Sequence, residues 1–174
     1  PQTRLIWLCN PNNPTGSYFS RQELVELLEL VSPETLVVYD EAYFEFVTAP
    51  DYPKDSAALL QKYNNLLILK TFSKAYGLAG LRIGFTLGHS GLLELINRIR
   101  NPFNVTLLSQ AAALAALDDD EFLVRIVENN NAGKEYLYQQ FEAMGLEYGK
   151  TQANHIFFNA GKDAHWVFQK LIRK

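Results

Sequence analysis

The sequence of 174 residues contains a single cysteine, Cys9. One cysteine excludes an internal disulfide framework and a metal cluster built on several thiolates, and it is typical of proteins from a reducing compartment. The sequence also lacks long apolar runs, because none approaches the ~20 residues that a membrane-spanning helix needs. We therefore expect a cytoplasmic protein that has no membrane partner.

An excess of positive charge is missing as well. The formal net charge is −3, and the lysines and arginines are scattered along the chain. A surface that binds nucleic acid needs clustered basic side chains, so we expect no nucleic acid partner. The histidines His89, His155 and His165 lack the spacing of metal ligands, so we expect no metal site and assign them structural or surface roles.

Methionine is almost absent, since Met144 is the only one. The chain begins with Pro1 and enters an apolar run almost at once, and its last residues, WVFQKLIRK, stop within an amphipathic pattern. We therefore expect the printed chain to be a fragment of a longer protein that lacks both ends.

Three short apolar runs are present, at residues 5–9, 36–39 and 66–69. Continuous apolar runs of this length are typical of strands that are buried on both faces of a parallel sheet. Between the first two runs, Ser20 and Glu23 form a capping box ahead of a helical pattern. Alternation of strands and helices predicts an α/β fold.

The rest of the chain continues this alternation. We expect a short helix at 57–63, strands at 83–87 and 156–159, and helices at 91–99, 107–117, 118–144 and 165–173. A helix as long as the one at 118–144 often crosses between lobes. We therefore expect residues 1–140 to form part of a large domain, and residues 141–174 to begin a smaller domain.

Each of the three apolar runs is followed by a polar cluster, at residues 10–16, 40–43 and 70–74. If the strands are parallel, these clusters share the edge of the sheet where α/β folds bind ligands. The clusters supply an amine, which can form a bond with an aldehyde, and a carboxylate, which can pair with a pyridine nitrogen. Their hydroxyls, together with the guanidinium of the nearby Arg82, can bind a phosphate. Pyridoxal 5'-phosphate requires these groups.

The segments NPNNPTG, YDEAYFEF and TFSKAYGLAGLRIGF resemble, in this order, the signature blocks of the fold-type I pyridoxal-phosphate aminotransferases. Within that family they are most similar to the histidinol-phosphate aminotransferases, and NPFNVTLLSQAAALAAL and QANHIFF are similar to later segments. The resemblance implies the three-layer large domain of these transferases, with a mostly parallel sheet, followed by the start of a smaller α+β domain.

The resemblance also implies roles for individual residues. Lys74 is the Schiff-base lysine and the acid and base of the proton shift, and Asp40 is the partner of the pyridine nitrogen. The other implied cofactor-binding residues are Asn13 and Tyr43 at the ring oxygen, and Thr71, Ser73 and Arg82 at the phosphate. As a separate hypothesis, the Asn13–Pro14 bond of this turn is cis.

Three neighbouring residues receive other assignments. Lys70 competes with Lys74 for the role of the reactive lysine, but strand alternation places Lys70 within the third strand. Glu41 is assigned a structural role. His155 departs from the family pattern, in which phenylalanine commonly follows Ala-Asn, and this departure implies no catalytic role.

The resemblance implies transamination between glutamate/2-oxoglutarate and histidinol phosphate/imidazole-acetol phosphate in histidine biosynthesis. The partners would be a small-molecule amino donor and a keto acid, and the full-length protein would be a homodimer. The 174-residue chain alone is expected to be inactive. The alternatives are an aminotransferase for aromatic or aliphatic amino acids, a threonine-phosphate decarboxylase, and a catalytically silent binding module, against which the intact Lys74 and Asp40 argue.

Overall fold

The computed structural model describes residues 2–173. Within these residues the main sheet has four strands, in the order β1 (Leu5–Cys9), β2 (Leu36–Asp40), β3 (Leu66–Thr71) and β4 (Gly84–Gly88). β1, β2 and β3 are parallel, whereas β4 runs antiparallel to β3. The predicted α/β fold with a mostly parallel sheet is confirmed.

The described part of the chain has five α-helices, which are α1 (Arg21–Leu30), α2 (Ser90–Ile99), α3 (Leu107–Leu117), α4 (Asp120–Ala143) and α5 (Ala164–Leu171). A second, antiparallel sheet pairs β5 (Glu147–Tyr148) with β6 (Phe158–Asn159). Short 3-10 helices cover Phe44–Phe46, Ser56–Gln61 and Ala79–Leu81. Within residues 2–173, no helix is both long enough and apolar enough to cross a membrane.

Three sequence predictions were wrong in detail. The helix predicted at 57–63 is the 3-10 helix Ser56–Gln61, which suits a connection of so few residues. The strand predicted at 156–159 is only two residues long, because β5 offers it only two pairing residues. Within residues 2–173 the first strand is buried on one face only: Ile6 and Leu8 pack on the main core, whereas Leu5 and Trp7 on the other face are 52% and 58% exposed.

The main core lies on one face of the sheet, between the strands, α1 and the 3-10 helix Ser56–Gln61. Its buried members are Leu24, Leu28, Val37, Tyr39, Leu59, Tyr63, Leu66 and Ile68. Alternate residues of β2 and β3 share this face because side chains of a strand point to opposite faces in turn.

A second apolar cluster lies beneath the loops at the carboxyl ends of the strands. It contains Tyr43, Phe46, Ala75 and Ala153, with Leu123, Ile126 and Val127 of α4 packed against them. The loops after β2 and β3 therefore rest on the long helix α4.

The predicted capping box at the start of α1 is present. The Ser20 hydroxyl accepts a hydrogen bond from the Glu23 amide at 3.3 Å, and the Glu23 carboxylate accepts one from the Ser20 amide at 2.8 Å. Each bond satisfies a backbone donor that the helix itself cannot pair.

Replacing Ser20 with alanine is expected to lower the free energy of unfolding by about 1 kcal/mol, because the Glu23 amide loses its acceptor. Denaturant unfolding monitored by circular dichroism would measure the change. Ser90→Ala is the matched control, since Ser90 is exposed at the first turn of α2 and the cap there is His89. Equal stability of the Ser20→Ala and Ser90→Ala variants would contradict the prediction.

Candidate active site

The parallel strands end at the same level. Cys9 pairs with Asp40, and Asp40 pairs with Leu69, so the loops that follow β1, β2 and β3 begin side by side. The sequence prediction that the three polar clusters meet at one edge of the sheet is confirmed. Open α/β sheets bind their ligands at this edge.

Asn10, the first residue after β1, is fully buried and serves the fold. Its amide nitrogen donates to Phe19 O at 3.0 Å and to the Tyr39 hydroxyl at 2.6 Å, and its amide oxygen accepts from Phe19 N at 2.8 Å. The Tyr52 hydroxyl donates to the Asn10 carbonyl at 2.7 Å. Asn10 therefore anchors the loop, since it is fully buried and both of its side-chain donors are engaged.

Asn13 lies further along the same loop and is exposed. Its amide nitrogen donates to the hydroxyl of Tyr43, in the loop after β2, at 2.8 Å. The Asn13–Pro14 bond is cis, as the sequence hypothesis stated, and Asn10–Pro11 is cis as well. Of the asparagines in this loop, Asn13 is the one whose side chain reaches across to the second loop at the edge.

Lys70 lies within β3 and Lys74 follows the strand, and the structure gives the two lysines different environments. Lys70 Nζ lies 2.7 Å from Glu41 Oε2 and 3.2 Å from the centroid of the Phe44 ring, and its side chain is 15% exposed. Lys74 is exposed, and its Nζ lies 5.3 Å from the centroid of the Tyr43 ring. Lys70 is therefore committed to an internal ion pair, whereas the amine of Lys74 is available beside the Asn13–Tyr43 pair.

Glu41, the partner of Lys70, is completely buried. Burial raises the pKa of its carboxyl group, and the positive charge of Lys70 opposes that rise. The Tyr52 hydroxyl also lies 3.5 Å from Glu41 Oε1. These contacts agree with the structural role assigned to Glu41 from the sequence.

Asp40 is the last residue of β2, and its side chain is half-buried. Its Oδ1 accepts a hydrogen bond from the Ala42 amide at 3.0 Å, which holds the carboxylate at the start of the loop. Burial and the negative charge of Asp40 raise the pKa of the Cys9 thiol on the neighbouring strand. Cys9 thus stays protonated at neutral pH and acts as a small apolar residue.

The remaining predicted residues lie between the end of β3 and the start of β4. The Thr71 hydroxyl accepts a hydrogen bond from the Ser73 amide at 3.1 Å. Arg82 Nη1 lies 3.4 Å from the Ser73 hydroxyl and donates to the Ala79 carbonyl at 2.9 Å. Arg82 itself has a left-handed backbone, with φ of 51°. Two hydroxyls and a guanidinium so placed are suited to an anion such as a phosphate.

The sequence analysis missed residues 151–155, which we call the strap. The Gln152 amide donates to Gly16 O at 2.9 Å, and Gln152 Oε1 accepts from the amides of Thr48 at 2.8 Å and Ala49 at 3.1 Å. The strap therefore joins the loops that follow β1 and β2. Its only signal in the sequence is the segment QANHIFF, which carries no clue to these partners.

Gly16 has no room for a side chain where the strap crosses it. Its φ is +70°, and a Cβ built there would overlap the side chain of Thr151. The glycine of the first motif is thus required by the turn and by the strap together.

The fold and this edge define an α/β protein of the kind that binds a phosphate-bearing ligand where its parallel strands end. The chain belongs to the aminotransferase class I and II family, which matches residues 1–174.

Two of the similar proteins are histidinol-phosphate aminotransferases. A histidinol-phosphate aminotransferase from Geobacillus sp. (strain WCH70) is 49% identical over 173 residues, which cover 99% of this chain and 47% of that relative. A crystal structure of histidinol-phosphate aminotransferase from Sinorhizobium meliloti in complex with pyridoxal-5'-phosphate aligns with a TM-score of 0.88 and 33% identity, over 98% of this chain and 46% of that one.

A third comparison is a crystal structure of L-threonine-O-3-phosphate decarboxylase from Porphyromonas gingivalis. It aligns with a TM-score of 0.74 and 27% identity, over 86% of this chain and 45% of that one. The chain therefore spans about half the length of the relatives that it matches.

Proposed function

We propose that this chain forms part of a pyridoxal-phosphate-dependent aminotransferase that transfers an amino group between histidinol phosphate and 2-oxoglutarate. The observation that carries the proposal is the sequence identity of 49% between this chain and the Geobacillus histidinol-phosphate aminotransferase, over 99% of this chain. The threonine-phosphate decarboxylase is much less similar in sequence.

The side chains at the sheet edge fit this cofactor in their chemistry. They comprise an exposed amine at Lys74, a carboxylate at Asp40, the Asn13–Tyr43 pair, and the cluster of Thr71, Ser73 and Arg82. Pyridoxal phosphate, when bound, supplies an electron-withdrawing ring that stabilises negative charge on the substrate carbon next to the amino group.

Two parts of this set would orient the ring. The Asp40 carboxylate would hold the proton on the pyridine nitrogen, because an anion beside that nitrogen favours its charged form. The Asn13 amide and the Tyr43 hydroxyl, which are 2.8 Å apart, would contact the ring oxygen together. Both contacts come from loops that the sheet and the strap hold in place, so little ordering is left for binding.

The phosphate would be held by Thr71, Ser73 and Arg82. Arg82 already lies within 3.4 Å of the Ser73 hydroxyl, and its guanidinium can donate more than one hydrogen bond to phosphate oxygens. Arg82 is exposed, and Thr71 and Ser73 are partly exposed, so their polar groups are accessible to an anion.

Lys74 would perform the proton transfer. Its amine would hold the cofactor, and its Nζ would accept the proton of the substrate carbon and later return it. Lys70 is unsuited to this work, since its ammonium is paired with Glu41 and lies over Phe44.

The wider organisation is also a proposal. Residues 1–140 would be part of the cofactor-binding large domain and residues 141–174 the start of a smaller domain, with α4 joining them. The single cysteine supports a cytoplasmic location. The full-length enzyme would act as a homodimer.

The cofactor part of the proposal is tested by adding pyridoxal 5'-phosphate to the full-length protein and recording its absorption spectrum. Reduction with borohydride and peptide mass analysis then locate the modified lysine. The expected result is a single stoichiometric adduct on Lys74. An adduct on Lys70, or no adduct at all, would contradict the assignment.

The substrate part needs a separate assay on the same protein. Histidinol phosphate and a panel of aromatic and aliphatic amino acids are each supplied with 2-oxoglutarate, and glutamate formation is measured. We expect histidinol phosphate to give the highest kcat/KM. Release of carbon dioxide from threonine phosphate would instead support the decarboxylase alternative.

A further inference from the structure

His155, the last residue of the strap, packs against the ring of Tyr43. The two ring centroids are 4.9 Å apart and the ring planes meet at 73°, which is an edge-to-face contact. Tyr43 is itself buried, and its hydroxyl accepts the hydrogen bond from Asn13. His155 therefore lies one contact away from the pair that would hold the cofactor ring.

The surroundings of the His155 imidazole disfavour its charged form. Its Nε2 is buried and has no hydrogen-bond partner among residues 2–173. Burial lowers the pKa of His155, and the charge of Lys74 lowers it further, while the backbone of Asn12 opposes the shift. A charged imidazole would carry an N–H group at Nε2, and a buried N–H group without a partner is costly. The position therefore favours the uncharged ring.

The rest of the strap fixes where His155 lies. Ala153 is fully buried, its amide donates to the Thr151 hydroxyl at 2.9 Å, and its carbonyl accepts from Asn130 of α4 at 3.4 Å. On the other side, Gln152 is bonded to the loops after β1 and β2. The strap is therefore attached to both the helix and the loops, and His155 is presented to Tyr43 from a fixed backbone.

We propose that His155 is a positioning residue, whose ring packs edge-to-face on Tyr43 and so keeps the Tyr43 phenol against Asn13 and beside Lys74. His155 would not touch the cofactor, and it would act through Tyr43. This inference rests on the proposed function, because that function gives Asn13, Tyr43 and Lys74 their shared ligand.

The test uses the full-length protein with pyridoxal 5'-phosphate as the probe. His155→Ala removes the ring, His155→Phe keeps a flat ring without nitrogens, and His165→Ala is the matched control on the exposed face of α5. Two quantities are measured for each apoprotein: the dissociation constant for the cofactor, and the visible circular dichroism of the bound cofactor, which reports how firmly its ring is oriented.

His155→Ala is expected to weaken cofactor binding about 10-fold and to reduce the visible circular dichroism, because the edge-to-face contact is lost and Tyr43 gains freedom. His155→Phe should restore binding to within about 3-fold of the wild type, together with the dichroism signal. His165→Ala should match the wild type in both measurements. A merely structural role would lower the unfolding temperature without changing the dichroism of the bound cofactor.

Wild-type affinity and dichroism in His155→Ala would overturn the inference while leaving the proposed function intact. If His155→Ala does not fold, His155→Leu replaces it, since leucine fills the volume without a flat ring, and the same loss of dichroism is expected. A folded His155→Phe variant that loses the signal would also overturn the inference. If the wild type itself forms no adduct with the cofactor, the proposed function is wrong and the inference fails with it.

Discussion

Replacing Lys74 with alanine is expected to lower transamination by the full-length enzyme by about 10⁴-fold or more, because one amine serves as both nucleophile and proton carrier. The variant should still bind pyridoxal 5'-phosphate through its other contacts, but borohydride should fix no label to the protein. Steady-state glutamate formation and intact mass measure the two effects.

The control for this change is Lys54→Ala, since Lys54 is an exposed lysine that belongs to none of the three polar clusters. It should retain wild-type turnover and the label on Lys74. Normal turnover in Lys74→Ala would refute both the mechanism and the choice between the two lysines at the end of β3.

Replacing Glu41 with alanine is expected to lower the free energy of unfolding by about 3–5 kcal/mol, because Lys70 is then left as a mostly buried charge without its partner. The loss should be visible as a lower denaturant midpoint in equilibrium unfolding of the full-length protein. The double variant Glu41→Leu/Lys70→Met should recover a large part of the loss, since it removes both charges and keeps the volume.

Glu34→Ala provides the comparison for that experiment. Glu34 pairs with Arg4 at 3.0 Å, but both side chains are more than three-quarters exposed, and the loss should be at most about 1 kcal/mol. If Glu41→Ala lowered the free energy of unfolding no more than Glu34→Ala does, the prediction that the buried pair matters more than the exposed pair would be wrong.

Much of the fold could be predicted because it is encoded locally. The apolar runs of β1, β2 and β3 and the capping box of Ser20 and Glu23 each occupy a few consecutive residues, so periodicity and spacing reveal them. The meeting of the polar clusters followed from topology, since the carboxyl ends of parallel strands lie at the same edge of a sheet.

Other features depend on partners that are distant in sequence. Nothing near Lys70 shows that it pairs with Glu41, and nothing near Gln152 shows that it bonds to Thr48, which precedes it by 104 residues. The same holds for His155, whose neighbours in the sequence give no sign of Tyr43. The exposure of Trp7 was missed because an apolar run does not reveal which faces of its strand are covered by other parts of the chain.

The strap has a consequence for the order in which the protein is assembled. During synthesis Asn13, Tyr43, Lys74 and Arg82 all leave the ribosome well before Gln152 and His155, whose contacts join the two loops at the edge. Contacts between such distant residues are late events in folding, because a long loop must close before they form. We therefore expect the ability to bind the cofactor tightly to arise only after the strap has emerged, when every residue of the three motifs has long been made.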